Sequence, residues 1–191
     1  MTMHDMSLAP ELAISEWFNT PNPITLAGLR GRPVFLHTFQ LLCPGCVAEA
    51  IPQLQRLEQV FAQTDLAVIG VHTVFEHHAA MSPLTLNAFL HEYKITSPVG
   101  VDLADGAGDV PVTMRRFGLR GTPSSVLIGR NGEIIRQTFG VEADMALGAR
   151  IALALSAKAD LRPELEQQRE PEQGCRNGVC AVPGPNEGVS A

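Results

Sequence analysis

Cys43-Pro44-Gly45-Cys46 is the stretch that most restricts what this chain can fold into. An apolar run, Pro33-Val34-Phe35-Leu36-His37-Thr38, precedes it and reads as a buried strand. After it, Val47, Ile51, Leu54 and Phe61 fall on one helical face, with Glu49, Gln53, Gln55, Arg56 and Glu58 largely off it. The two cysteines therefore mark the point where a strand turns into a helix. Amides of a first helical turn lack partners inside the helix and carry partial positive charge. That field favours thiolate over thiol, and the thiolate is the nucleophile of disulfide chemistry. Pro44 suits an early helical position, where its missing N–H goes unused. Two intervening residues let the sulfurs close a short ring. A C-x-x-C in a βαβ setting points to redox chemistry. Zinc knuckles use the same spacing with a second cysteine pair, and Cys175 and Cys180 supply a pair in a very different setting. Buried inert thiols are the third alternative.

The rest of the chain supports an α/β organisation. Leu66-Ala67-Val68-Ile69-Gly70-Val71-His72 is a continuous apolar run that fits a strand buried on both faces. Strand, helix and strand make a βαβ unit of right-handed crossover. Ser82-Pro83 starts a helix with a capping hydroxyl, and Leu86, Phe89, Leu90 and Tyr93 form its apolar stripe. Pro98 to Val101 reads as a short strand, and Thr113 to Phe117 as a brief helix stopped by Gly118. Gly121-Thr122-Pro123 leads into Ser124 to Ile128, and Asn131-Gly132 signals a hairpin to a strand over Ile134 to Phe139. A last helix spans about Glu142 to Leu155. Upstream, Trp17 and Phe18 read as a packing anchor and Ile24-Thr25-Leu26 as a short edge strand.

Composition bounds the partners. A net charge of −6 gives no reason to expect nucleic acid or an anionic membrane surface. No run approaches the ~18 apolar residues of a spanning helix. The amino terminus lacks a basic segment followed by a long apolar one, so the expected address is the cytoplasm, where thiols are held reduced. From Leu161 the chain has no aromatic residue and is rich in Pro, Gly, Glu and Gln. Such composition does not offset the entropy of ordering. The expected organisation is a domain over 1–160 and a flexible tail over 161–191 carrying Cys175 and Cys180. A linker of about fifteen residues reaches roughly 20 Å, which makes a second redox pair serving Cys43 and Cys46 a reading to test against a local bridge, a metal clip or an idle tail.

The order strand, Cys-Pro-Gly-Cys helix, strand, helix, strand, Gly-Thr-Pro, hairpin and helix resembles a thioredoxin-like fold. More narrowly, it resembles the redoxin branch of TlpA-type disulfide reductases and AhpC/TSA peroxiredoxins, over about residues 17 to 156. The segment from roughly Phe75 to Asp102 and the phrase Leu26 to Pro33 point to that branch. The resemblance implies a three-layer α/β/α domain around a mixed sheet. It implies Cys43 as the attacking and Cys46 as the resolving cysteine. It implies Thr122-Pro123 as a cis-proline segment that binds substrate backbone. The position six residues before Cys43, an acid in thioredoxins, is His37 here, a candidate proton acceptor or a neutral core residue. Leu42 stands where many relatives have Trp. Peroxiredoxins carry Pro seven and Thr or Ser three residues before the peroxidatic cysteine; for Cys43 those places hold Leu36 and Gln40.

Glu76 and His77, just past a strand end, are rim candidates for proton relay, with an ordinary loop and a metal site of Glu76 with His77 and His78 as the alternatives. The expected activity is thiol–disulfide exchange with a disulfide-containing protein or small molecule, recharged by an external dithiol donor. It requires no metal or organic cofactor and involves no nucleic acid and no membrane. A thiol peroxidase and a cysteine-based metal-binding protein are the rivals.

Overall fold

The structure is a computed structural model that describes residues 7–158 and, as backbone, strand residues 175–176 and 179–180. The chain divides into two compact units, Met1–Ala159 and Asp160–Ala191. The first is built on β1 (Ile14–Phe18), β2 (Val34–Phe39), β3 (Ala67–His72), β4 (Val99–Asp102), β5 (Ser124–Ile128) and β6 (Ile134–Phe139). Its helices are α1 (Ile51–Val60), α2 (Pro83–Glu92), α3 (Val112–Arg116) and α4 (Asp144–Ser156).

The six strands form one sheet in the order β1-β4-β3-β2-β5-β6. β2, β3 and β4 run parallel; β1 pairs antiparallel with β4, and β5 and β6 continue antiparallel beyond β2. Every residue of β2 is buried, as a central strand covered on both faces must be. Val34 and Leu36 point to one face and pack with Ile69, Val71, Val126, Met114 and Phe117. Phe35 and Phe39 point to the other, against α1, α2 and α4. The layers are therefore α1, α2 and α4, then the sheet, then α3 with the amino-terminal segment around Leu12 and Leu26. This is the expected thioredoxin-like arrangement.

Local signals worked where they named a physical cause. Ser82 accepts the N–H of Thr85 at 3.3 Å and opens α2. Gly132 takes φ +84 in the β5–β6 turn, where an L side chain would be strained. The edge strand is a correction. Ile24-Thr25-Leu26 forms no strand; Leu26 is buried, and a 3₁₀ turn, Ala27–Leu29, follows it. The edge position belongs to β1, where Trp17 pairs with Gly100.

In the second unit, β7 (Cys175–Arg176) and β8 (Val179–Cys180) pair antiparallel, with Cys175 opposite Cys180. The side chains of those cysteines lie outside the described residues.

Candidate active site

β2 delivers the chain to its carboxyl end, where Phe39-Gln40-Leu41-Leu42 turns into Cys43. Cys43 and Cys46 form a disulfide with Cα atoms 5.2 Å apart. Their exposures differ: Cys43 is half-buried and Cys46 is fully buried against Phe39, Leu41 and Ile51. The Cys46 backbone N–H donates to the Cys43 sulfur at 3.2 Å. Val47 N–H reaches the Cys43 carbonyl at 3.1 Å, which closes the first helical turn. The accessible sulfur thus sits on the amide-rich end of a helix.

That helix is irregular. Cys46–Ala50 is a π-helix, in which Ile51 N–H bonds the Cys46 carbonyl five residues back. Pro52 is the local cause, since it has no N–H to continue an α ladder. The irregularity changes which residues face inward. Gln53, placed off the buried face by its spacing, is buried; its amide donates to the Glu142 carbonyl and to Asp144 Oδ1, both at 2.6 Å. Arg56 Nε joins Asp144 Oδ2 at 2.8 Å, which fixes α1 to the start of α4.

Thr122-Pro123 closes the site from β5. Its peptide bond is cis. The Thr122 carbonyl oxygen lies 3.5 Å from the Cys43 sulfur, and a Cβ placed on Gly45 would be 3.5 Å from Pro123 Cδ. Gln40 is buried, and its amide nitrogen reaches the Thr122 hydroxyl at 3.4 Å. Gln40 therefore braces the Thr122 loop, a role its sequence position did not suggest.

His37 is buried under α1, stacked on Phe39 with centroids 5.7 Å apart. Its Nε2 has no partner among the described residues. Burial pushes its pKa down to about 4. An imidazole that weak lies roughly four units below an ordinary thiol and makes a poor acceptor for the Cys46 proton. The neutral-core alternative fits better. His72, at the end of β3, is a second such residue: fully buried, 5.6 Å from Phe39 by ring centroids, both ring nitrogens without a partner among the described residues, and pushed to about 4 by burial. Its place in an apolar run was the available signal.

Glu76 and His77 are exposed in the loop after β3, and His77 has φ +49. Among the described residues, no hydrogen bond joins either to Cys43. Nor, among the described residues, do three or more His, Cys, Asp or Glu side chains gather as a metal site. Leu42 is 57% exposed beside Cys43, an apolar but small replacement for an aromatic platform.

The Redoxin family matches residues 5–148. The thiol-disulfide oxidoreductase ResA of Halalkalibacterium halodurans is 27% identical over 113 residues, 59% of this chain and 57% of ResA. Protein DipZ of Mycobacterium tuberculosis is 31% identical over 135 residues, 69% of this chain and 18% of DipZ. The chain thus spans little more than half of one curated relative and under a fifth of the other. Among solved structures, a thioredoxin-like superfamily protein is 49% identical with a TM-score of 0.77, covering 80% of this chain and 98% of that one. A thiol-disulfide isomerase from Corynebacterium glutamicum is 38% identical with a TM-score of 0.76, covering 81% and 99%. With its cysteine pair at the strand–helix junction and Thr122-Pro123 against it, the chain belongs to the Redoxin family.

Proposed function

We propose that this protein is a thiol–disulfide oxidoreductase that reduces disulfides through Cys43 and Cys46. The observation that carries the reading is the asymmetry of the pair. Cys43 is reachable and hydrogen-bonded by the Cys46 N–H, whereas Cys46 is buried behind it.

In the reduced protein the Cys43 thiolate attacks one sulfur of the substrate disulfide. A mixed disulfide forms and the other substrate sulfur leaves as a thiolate. Cys46 then loses its proton and attacks the Cys43 sulfur. The substrate's second sulfur leaves and takes up a proton. Two electrons pass from the protein to the substrate, and the Cys43–Cys46 disulfide remains. An external dithiol returns the two electrons. The exposed Leu42 and the Thr122 carbonyl flank the path by which a substrate disulfide approaches. The cytoplasm, which supplies such dithiols, is the proposed compartment, and cell fractionation tests it.

Mass-tag counting of free thiols across a glutathione redox series tests the function. One cooperative two-thiol transition lost in Cys43→Ser, together with Cys43-dependent reduction of a model disulfide, is the expected result. Cys175 and Cys180 are proposed as a second redox pair, which titrates as its own two-thiol step in the same series. Absence of any thiol transition that depends on Cys43 would overturn the reading.

A further inference from the structure

A cavity of about 320 Å³ opens next to the Thr122-Pro123 loop. Arg120, Ser124, Gln137, Thr138 and Phe139 are among its walls. Phe139 closes β6, directly opposite Ser124, and the next residue, Gly140, donates its N–H to the Pro123 carbonyl at 2.8 Å. Phe139 is 54% exposed. The Arg120 guanidinium lies over its ring, 5.4 Å from the centroid. Gly121 makes room for this arrangement: a Cβ there would stand 2.9 Å from the Phe139 ring.

Arg136 and Arg30 also lack side-chain partners among the described residues, and Arg120 is set apart by its place over Phe139. Arg115 is paired with Asp105, Arg116 donates to the Glu11 carbonyl, and Arg130 is paired with Asp65. Arg120 is exposed and, among the described residues, makes no ion pair and no hydrogen bond. No Asp or Glu occurs between Val110 and Gly132, so no acid from this stretch competes for it. The Thr138 hydroxyl in the same wall also lacks a partner among the described residues.

We propose that Arg120 and Phe139 form a substrate subsite that takes a carboxylate near the disulfide being reduced. This rests on the thiol–disulfide reading above and names the class of substrate. A guanidinium presents a planar fork that binds a carboxylate through two parallel hydrogen bonds. Held over an aromatic face, it is already oriented and loses little freedom on binding. The spacing suits a chain lying across the site. The backbones of β2, which leads to Cys43, and β6, which ends at Phe139, are separated by β5, about 10 Å in all. That is about three residues of extended chain. Phe139 shares the α3 face of the sheet with Ser124 and Thr38, so a chain reaches it round the Thr122-Pro123 edge. The whole chain carries −6, so its long-range field does not draw acidic substrates; the preference arises at short range from Arg120.

The test uses the full chain and a set of peptides, each with one intramolecular disulfide and with Asp, Asn or Lys three residues from the attacked cysteine. Glutathione disulfide forms a further arm. The expected result for the unaltered protein is a kcat/KM about tenfold higher for the Asp peptide than for the Asn peptide, with Lys lowest. Arg120→Gln brings the three peptides to within about twofold of each other, Arg120→Lys keeps part of the preference, and Arg120→Glu favours the Lys peptide. A parallel loss on glutathione disulfide assigns the carboxylate to a small-molecule substrate; a loss confined to peptides assigns it to a protein. Equal rates on all three peptides by the unaltered protein, or a preference that survives Arg120→Gln, overturns the subsite alone. If the unaltered protein reduces none of the disulfides, the thiol–disulfide reading falls and the subsite falls with it.

Discussion

The Cys43 sulfur lies 3.2 Å from the Cys46 backbone nitrogen and accepts its N–H. The same contact in the reduced protein stabilises a thiolate more than a thiol, because a charged acceptor strengthens the bond. Cys43 is therefore expected to titrate below the ~8.5 of an ordinary cysteine. At pH 7 it should alkylate about tenfold faster than free cysteine, given its larger thiolate fraction. Cys46→Ser keeps that reactivity and accumulates mixed disulfides, and Cys43→Ser abolishes reduction. Timed alkylation followed by mass spectrometry checks all three. Alkylation at the free-cysteine rate would show that Cys43 is not activated.

His37 and His72 give a prediction for acid. Burial lowers both from 6.5 to about 4, with no charged partner contributing. Between those values the unfolded chain binds protons that the folded chain refuses, so stability falls as pH falls through the window. It is fully present above about 6.5 and the loss levels off below about 4. The two residues together remove several kcal/mol over that span, about 3 kcal/mol each. Urea unfolding at pH 7.5, 6, 5 and 4.5 measures the slope. His72→Leu, which removes two buried nitrogens that have no partner among the described residues, should cost little at pH 7.5 and flatten about half of the acid loss. An unchanged slope in that variant would remove His72 from the account.

Asp102 holds the start of α3. Its carboxylate accepts Thr113 N–H at 2.7 Å, Met114 N–H at 3.0 Å and the Thr73 hydroxyl at 2.9 Å. Burial opposes its charge, and these donors offset part of that cost. Asp102→Ala strands three donors and should lower stability by about 3 kcal/mol. Equilibrium denaturation measures it. A loss below about 0.5 kcal/mol would mean that water satisfies the donors as well as the carboxylate does.

The parts of this molecule that were legible in the sequence are those set by one local cause. The buried strands β2 and β3 announced themselves as apolar runs. Asn131-Gly132 announced the hairpin, and Ser82-Pro83 the start of α2. The two cysteines and Thr122-Pro123 were legible as a pair only through family resemblance, since about 80 residues separate them and spacing alone says nothing of contact. Gln53 was misplaced because a 3.6-residue period was carried through Pro52, where hydrogen bonding is interrupted. β1 was missed because its register is set by β4, far along the chain, and only Trp17 and Phe18 stood out. Gln40 was legible as a departure from a peroxidase pattern, but its bond to Thr122 is tertiary.

Pro52 offers a direct experiment on the helix. Pro52→Ala supplies an N–H that lets the ladder run as α, and the Cys46–Ala50 π turn should then resolve. The expected outcome is stronger amide protection across Val47 to Ile51 and a displaced Cys46, read as a shifted equilibrium of the Cys43–Cys46 pair with glutathione. Hydrogen exchange and thiol titration on the same variant report both. Protection and equilibrium identical to those of the unaltered protein would show that Pro52 does not maintain the irregular turn.

Arg130 sits in the β5–β6 turn and gathers three other chain segments. It donates to the Gly31 carbonyl at 2.6 Å, to Asp65 Oδ2 at 2.5 Å, to the Leu155 carbonyl at 2.7 Å and to the Ala157 carbonyl at 2.9 Å. Gly31 and Asp65 precede the starts of β2 and β3, so the last turn of α4 is tied to the end of the sheet away from Cys43. A support or reporter coupled just after Ala157 would meet the domain on that far side. Immobilised in this way, the molecule would present its thiols to solution, which makes the end of α4 a natural attachment point for an electrode or a bead.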